Sequence, residues 1–385
     1  MINNPYNINS PVTSSQFYGR TELLSSTLHL FASFSQNAIT IFGRSRIGKT
    51  SVLQELAAQL FHGGHLPIYL ALKDKAHLSP DQLLQLLINL IADVLHLPAS
   101  DRQSSSPADH FQRRFLPQIL GKIDPQRLIL LLDDIDLLKN DVEVDQLVTY
   151  LQRLIVYEQS IAFIFSTSTK FQDLPLSFQR VGKQVRVEEL DLLKPEETRA
   201  LILEPSHNTP IRYSSAAVET VATLSAGHPY FTQLICHKLF EAALKNNKTQ
   251  IDQADVENIL PLILQESTPE FERSLAGLSD QQMKILAATG YLSAQNQLIT
   301  HTRLREALHK YRIDFEEREL GQTFNELRQR EILRSNIQHE GVIFTVPLMA
   351  NWIVKQYPVN SKVNAAFIKN FKKFSRKLTF WLLEK

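Results

Sequence analysis

Gly43-Arg44-Ser45-Arg46-Ile47-Gly48-Lys49-Thr50 decides how this chain is read, because it matches the spacing G-x-x-x-x-G-K-[ST]. Each fixed position has a physical task. A phosphate is held by successive backbone N–H groups turned inward, and glycine tolerates the dihedrals and the close approach this requires. Lys49 would supply a positive charge to the terminal phosphates and Thr50 a hydroxyl ligand for Mg²⁺. Gly43, Arg46, Ile47, Gly48, Lys49, Thr50 and Ser51 are therefore the candidate phosphate-cradle residues. The flanks agree with this. Residues 38–42 (AITIF) form a short apolar run that reads as a buried strand, and 49–61 read as a helix stopped by Gly63-Gly64. The positive end of that helix would face the anion.

Outward from the loop, helical and apolar stretches alternate. Residues 20–35 carry apolar positions at helical spacing; 67–72 read as a strand and 80–95 as a helix, and the Ser/Pro/Asp-rich stretch 98–109 as an exposed loop. Leu128-Ile129-Leu130-Leu131-Leu132-Asp133-Asp134 is an apolar strand ending in acids, which places a carboxylate at the carboxyl edge of the sheet beside the loop. Mg²⁺ prefers oxygen ligands and keeps several waters, so one carboxylate suffices. Asp133 is the candidate metal residue, Asp134 the candidate for polarising the attacking water, and Asp136 a third choice. A helix over 141–157 precedes the strand 161–166, which runs into Ser166-Thr167-Ser168-Thr169. Ser166 is the candidate hydroxyl for the γ-phosphate or the water, with a plain Ser/Thr turn as the alternative. A last strand is expected over 183–190. Buried strands alternating with helices imply a parallel sheet of about five strands covered on both faces.

After residue 190 the strand signal stops. Residues 196–203, 214–225, 230–245 and 252–264 read as helices, the last kinked or ended by Pro261. Three more helices within 271–329, followed by the extended runs 331–337 and 342–347, are the pattern of a winged helix-turn-helix. The expected division is 1–190 for the core, 191–268 for an all-α lid, 269–358 for the winged helix and 359–385 for a basic amphipathic tail.

Composition excludes several classes. Lys and Arg number 41 against 40 Asp and Glu in 385 residues, so no whole-chain field attracts nucleic acid or anionic lipid. The single cysteine cannot form an intramolecular disulfide, which suits a reducing cytoplasm. The polar start shows no secretory signal, and no apolar run approaches the ~20 residues that span a bilayer. A cytoplasmic location is expected.

Several features together resemble the AAA+/STAND-type P-loop ATPases, including the origin-recognition-like ATPases of bacteria and archaea. They are Phe17-Tyr18-Gly19-Arg20 with Glu22 before a helix, the Arg-rich loop GRSRIGKTS, LILLLDD, LILEP at 201–205, and Ala226-Gly227-His228-Pro229-Tyr230. The resemblance implies an α/β fold, with a five-stranded parallel ASCE/AAA+-like core, a helical lid and a winged-helix domain. It also implies ATP or ADP with Mg²⁺ as cofactors, Tyr18, Gly19 and Arg20 wrapping the adenine, and Pro229 on the nucleotide's other side. The chain departs from the AAA+ pattern in its Asp-Asp pair, in lacking an arginine just after Gly227, and in offering no clear arginine finger; Arg180, Arg186 and Arg199 are the nearby candidates. Slow turnover is the expectation, with nucleotide acting as a switch.

Between residues 300 and 335, eight bases face seven acids, and the helix placed to enter a groove opens with Asp314, Glu316, Glu317 and Glu319. Acids there would oppose phosphate, so nucleic acid is disfavoured on charge. Residues 361–385 carry seven bases and one acid, with Phe367, Phe371, Phe374, Leu378 and Trp381 at helical spacing. That composition suits a protein partner, self-assembly or peripheral membrane contact. The expected function is a STAND-like nucleotide-dependent switch in signalling or defence, the alternative a DNA-binding, origin-recognition-like ATPase or loader.

Overall fold

The computed structural model describes residues 2–75, 77–97, 106–124, 126–138, 142–170, 173–175, 178–179, 185–311, 313–336 and 341–358. Arg180 and the 361–385 tail therefore lie outside the described residues. The chain forms two compact units. Asn7–Leu201 is one; the N-terminal residues through Tyr6 and the chain from Ile202 onward make the other.

In the first unit, β1 (Ala38–Phe42), β2 (Leu66–Ala71), β3 (Leu128–Asp133), β4 (Ile161–Thr167) and β5 (Arg186–Glu189) form one sheet in the order β2-β3-β4-β1-β5, every pair parallel. The period-2 alternation of the strands explains its two cores. Ile39, Ile41, Ile129, Leu131, Ala162 and Ile164 face one side, beneath α1 (Thr21–Ala32) and α2 (Lys49–His62). Leu128, Leu130, Leu132, Ile161, Phe163 and Phe165 face the other, with α3 (Pro80–Val94), α4 (Pro107–His110), α5 (Leu116–Ile123) and α6 (Val142–Tyr157). A sheet covered on both faces needs continuous apolar strands, and β1, β3 and β4 are buried throughout. α7 (Pro195–Leu203) follows β5.

One local expectation is overturned. The exposed loop expected over 98–109 gives way at Pro107 to a helical stretch, α4, then the π-type turn Phe111–Phe115, then α5. Ser106 caps it by accepting from the N–H of Asp109 at 3.2 Å, with Pro107 at the first helical position, where its missing N–H costs nothing.

The second unit contains α8 (Ser215–Ser225), α9 (Pro229–Lys245), α10 (Gln253–Glu266) and α11 (Thr268–Ser274), then α12 (Asp280–Ala294), α13 (His301–Lys310) and α14 (Glu317–Gln329). A two-residue parallel pair, β6 (Arg212–Tyr213) with β7 (Gln250–Ile251), interrupts the helices and is too short to leave a periodic signal. The antiparallel pair β8 (Leu333–Ser335) and β9 (Val342–Phe344) follows α14, and α15 (Pro347–Gln356) closes the unit. α10 runs through Pro261 rather than ending there, because Ile263 and Leu264 beyond it are buried. An aromatic run binds the two helical groups: Phe231 to Phe271 at 4.9 Å, Phe271 to Trp352 at 5.5 Å, with the Trp352 indole donating to Thr268 at 2.9 Å. Tyr6, 2% exposed, anchors the N-terminal segment by donating to the carbonyl of Ile202. No helix among the described residues is long and apolar enough to cross a membrane.

Candidate functional site

Gly43 to Thr50 joins the end of β1 to the start of α2, at the carboxyl edge of the sheet. Gly48 has φ 100°, which glycine adopts without strain, and Arg46 has φ 60°. Gly43 has no room for a side chain: a Cβ would stand 2.8 Å from Ile47 Cγ2 and 3.0 Å from the Leu190 carbonyl. Ile47 itself turns into the core at 1% exposure, anchoring the loop from below. Lys49 is nearly buried, and its ammonium donates to the carbonyls of Gly43 (2.9 Å) and Arg44 (3.1 Å) and to Ser168 Oγ (2.8 Å).

Thr50 Oγ1 donates to Asp133 Oδ2 at 2.7 Å. Asp133, 2% exposed, also accepts from Tyr69 Oη at 2.8 Å and, on Oδ1, from Ser166 Oγ. Ser166 is fully buried and in turn accepts from the N–H of Asp134 at 2.8 Å, so its hydroxyl ties the ends of β3 and β4 together. Asp134 adopts a left-handed conformation, φ 59° and ψ 51°, immediately after β3. Burial, then the neighbouring Asp133 charge, raises its carboxyl above the ordinary range, while Lys49 opposes the shift. Asp136 Oδ2 accepts from the N–H groups of Ser168 and Thr169, both at 3.0 Å, and from Thr169 Oγ1 at 2.9 Å. It therefore shapes the turn that presents Ser168 to Lys49. Burial and the bond to Asp133 push the Tyr69 phenol up, so it stays a proton donor at neutral pH.

The segment ahead of α1 crosses the first turns of α2. The N–H of Val12 donates to Ser51 Oγ at 3.1 Å and that of Ser14 to Glu55 Oε2 at 2.6 Å. Gly19 at φ 82° and Arg20 at φ 62° make the turn into α1. Glu197 accepts from the N–H of Arg20 at 2.6 Å, and Asp191 gathers Arg44 at 3.0 Å through its carboxylate and Arg20 through its carbonyl. Tyr18, Gly19 and Arg20 thus share one corner of this unit with the loop, whereas Pro229 opens α9 in the other unit. Tyr69, Glu55, Asp191 and Glu197 escaped the sequence reading, whereas Ser168 belongs to the hydroxyl run it singled out. A phenol inside the aliphatic run PIYLAL beside the Asp133 strand was the one available signal.

The donor set fits Mg²⁺. A threonine hydroxyl and an aspartate carboxylate are hard oxygen donors 2.7 Å apart, and Mg²⁺ is commonly held by one or two protein oxygens plus phosphates and water. Among the described residues no group of three or more His, Cys, Asp or Glu could hold a metal instead.

On the second unit, α14 presents Arg318, Gln322, Asn325 and Gln329 to solvent. Spaced four, three and four apart, they fall within about 60° of arc on one helix face. The acids lie to the sides: Glu317 stands 3.5 Å from His301, and Glu326 bonds Arg330 at 2.6 Å and the Gln282 amide. The stripe itself carries one base and no acid, while Asp314, Glu316 and Glu317 remain exposed at the helix's N-terminal end.

No family model matches the chain, and no curated protein does. Solved structures do. The Walker-type ATPase PABY2304 of Pyrococcus abyssi is 12% identical, with a TM-score of 0.65 over 91% of this chain and 99% of its own. The Aeropyrum pernix ORC2 protein, solved in ADPNP–ADP complexes, is 14% identical, with a TM-score of 0.59 over 90% and 97%. At such identities the likeness speaks for the fold, and it gives no support to the STAND-type signalling expectation. With its 2-3-4-1-5 sheet and its loop between β1 and α2, this chain has the fold of the AAA+ P-loop ATPases, in an origin-recognition-like form.

Proposed function

We propose that this protein binds ATP with Mg²⁺, hydrolyses it slowly, and acts on duplex DNA in the manner of an origin-recognition-like ATPase. The observation that carries the nucleotide part is the convergence of Lys49, Thr50, Asp133 and Ser168 at one sheet edge. In this reading Lys49 exchanges its carbonyl bonds for phosphate oxygens, Thr50 and Asp133 hold the metal, and Asp134 orients the water. Bound Mg²⁺ would neutralise charge on the phosphates. Tyr18, Gly19 and Arg20 would line the base. Slow turnover is in keeping with the missing arginine after Gly227.

The DNA part rests on α14. Arginine and amide side chains read base edges, guanine by Arg and adenine by Asn or Gln. Arg318, Gln322, Asn325 and Gln329 form such a set on the third helix of what is then a winged helix, with β8 and β9 as its wing. Contact with a protein partner or a second copy through residues 361–385 belongs to the same proposal.

Calorimetry of ATP with Mg²⁺ tests the first part. Wild type should release heat on binding, and Lys49→Ala should lose at least about tenfold in affinity, the value of a single charge-assisted contact. Equal binding by both proteins sinks the assignment. For the second part, a duplex that shifts wild type but not Arg318→Ala/Gln322→Ala is the expected result.

A further inference from the structure

Tyr69 stands on β2, the edge strand beside β3, and no position of the phosphate motif asks for it. Its phenol donates to Asp133 Oδ2 at 2.8 Å, and that same oxygen accepts from Thr50 Oγ1 at 2.7 Å. Oδ1 faces the other way, onto the hydroxyl of fully buried Ser166. A carboxylate oxygen offers about two acceptor positions. Thr50 and Tyr69 therefore fill Oδ2, the oxygen on the side of the metal ligand Thr50. The two donors differ in what a cation would do to them. Thr50 can lend its oxygen lone pair to a metal while its proton still points at Asp133. Tyr69 occupies an acceptor position on Oδ2 that a cation, or a water bound to it, would otherwise use.

We propose that Tyr69 is a positioning residue that lowers the affinity of Asp133 for divalent cations, so that metal enters this site with the nucleotide's phosphates rather than alone. The proposal rests on the nucleotide reading above only in taking Asp133 as the metal carboxylate. Gln54, on α2, lies beside the same phenol. Without nucleotide, a cation gains one carboxylate and one hydroxyl and must displace a hydrogen bond to a charged acceptor. With nucleotide, the phosphate oxygens add ligands that offset this loss.

The test is Mn²⁺ titration of the nucleotide-free full-length chain, followed by the paramagnetic resonance of free Mn²⁺. Tyr69→Phe removes only the hydroxyl and should bind Mn²⁺ about tenfold more tightly than wild type, about 1.4 kcal/mol at 25 °C. Tyr69→Leu should show the same gain if altered ring packing complicates the first variant, and adding Asp133→Ala should abolish it. Equal or weaker Mn²⁺ binding by both Tyr69 variants overturns the proposal. Because no nucleotide is present, this outcome is separate from the ATP reading, which falls instead if wild type gives no heat with ATP and Mg²⁺.

Discussion

Asp134 combines a left-handed backbone with a half-buried carboxyl whose pKa is raised by desolvation and by Asp133. The folded chain holds that proton more tightly than the unfolded chain does. The ionised form therefore costs stability above the folded pKa, and the cost is relieved as pH falls through it. Asp134→Asn, which keeps the shape and favours the left-handed region, should raise the melting temperature at pH 7 by about 1–3 °C. It should also flatten the pH dependence of melting just above the ordinary aspartate range. If Asp134 orients the water, the same variant should slow hydrolysis about a hundredfold. A variant that melts lower at pH 7 would show that the ionised carboxylate is needed by the fold. Gly43→Ala should displace the loop, since the new Cβ would meet Ile47 and Leu190; ATP affinity should fall about tenfold or more, and melting should drop as well because Ile47 belongs to the core. These motif residues were legible because eight consecutive residues carry the whole pattern. Tyr69, Asp191 and Glu197 were not, because strand register and loop closure alone bring them to the site.

Arg127, just ahead of β3, shows how elements are joined at the opposite edge of the sheet. It is fully buried, and its guanidinium donates to the carbonyls of Phe31, Gln36 and Ile161 and to Asn37 Oδ1 at 2.6 Å, with the Phe34 ring 4.6 Å away. Burial pushes it down to about 10, still charged at neutral pH. The planar fork thus ties the end of α1 to β1, β3 and β4. Arg127→Ala would leave several acceptors dry and should cost about 3 kcal/mol in denaturant unfolding; a loss below about 0.5 kcal/mol would show that solvent replaces it. Most helices were readable from their apolar spacing, and some carry caps as well: Ser79 and Ser279 each form a capping box with a glutamine three residues on. The stretch 107–123 was not, because Pro117 and a π-type turn interrupt the helical pattern, although Phe111, Phe115, Leu116, Ile119 and Ile123 all reach the core.

Across the full chain, near-neutral net charge bears on how DNA would be bound. With 41 bases and 40 acids, non-specific attraction should be weak, so discrimination must come from base edges rather than phosphates. Gln322→Ala and Asn325→Ala should each cost about 1–3 kcal/mol on a preferred duplex and almost nothing on random sequence. Fluorescence anisotropy at two salt concentrations checks this, and equal losses on both duplexes would point to phosphate contact. Gly290, on α12, is packed so closely on Ile353 of α15 that an added Cβ would sit 2.8 Å from its Cγ2. Gly290→Val should therefore destabilise the second unit by about 1–3 kcal/mol while leaving ATP binding by the first intact.

The order of the strands in the first unit and of its helices other than those over 107–123, the phosphate loop and the Asp133 strand end were present in the sequence, because each depends on neighbours within a few residues. Three things waited for the folded chain: the partners of Asp133, the uses of Ser166 and Asp136, and the face to which the acids of α14 belong. Each joins residues far apart in sequence or turns on rotation about a helix axis: only the fold shows that one exposed face of α14 is free of acids while its N-terminal end keeps them.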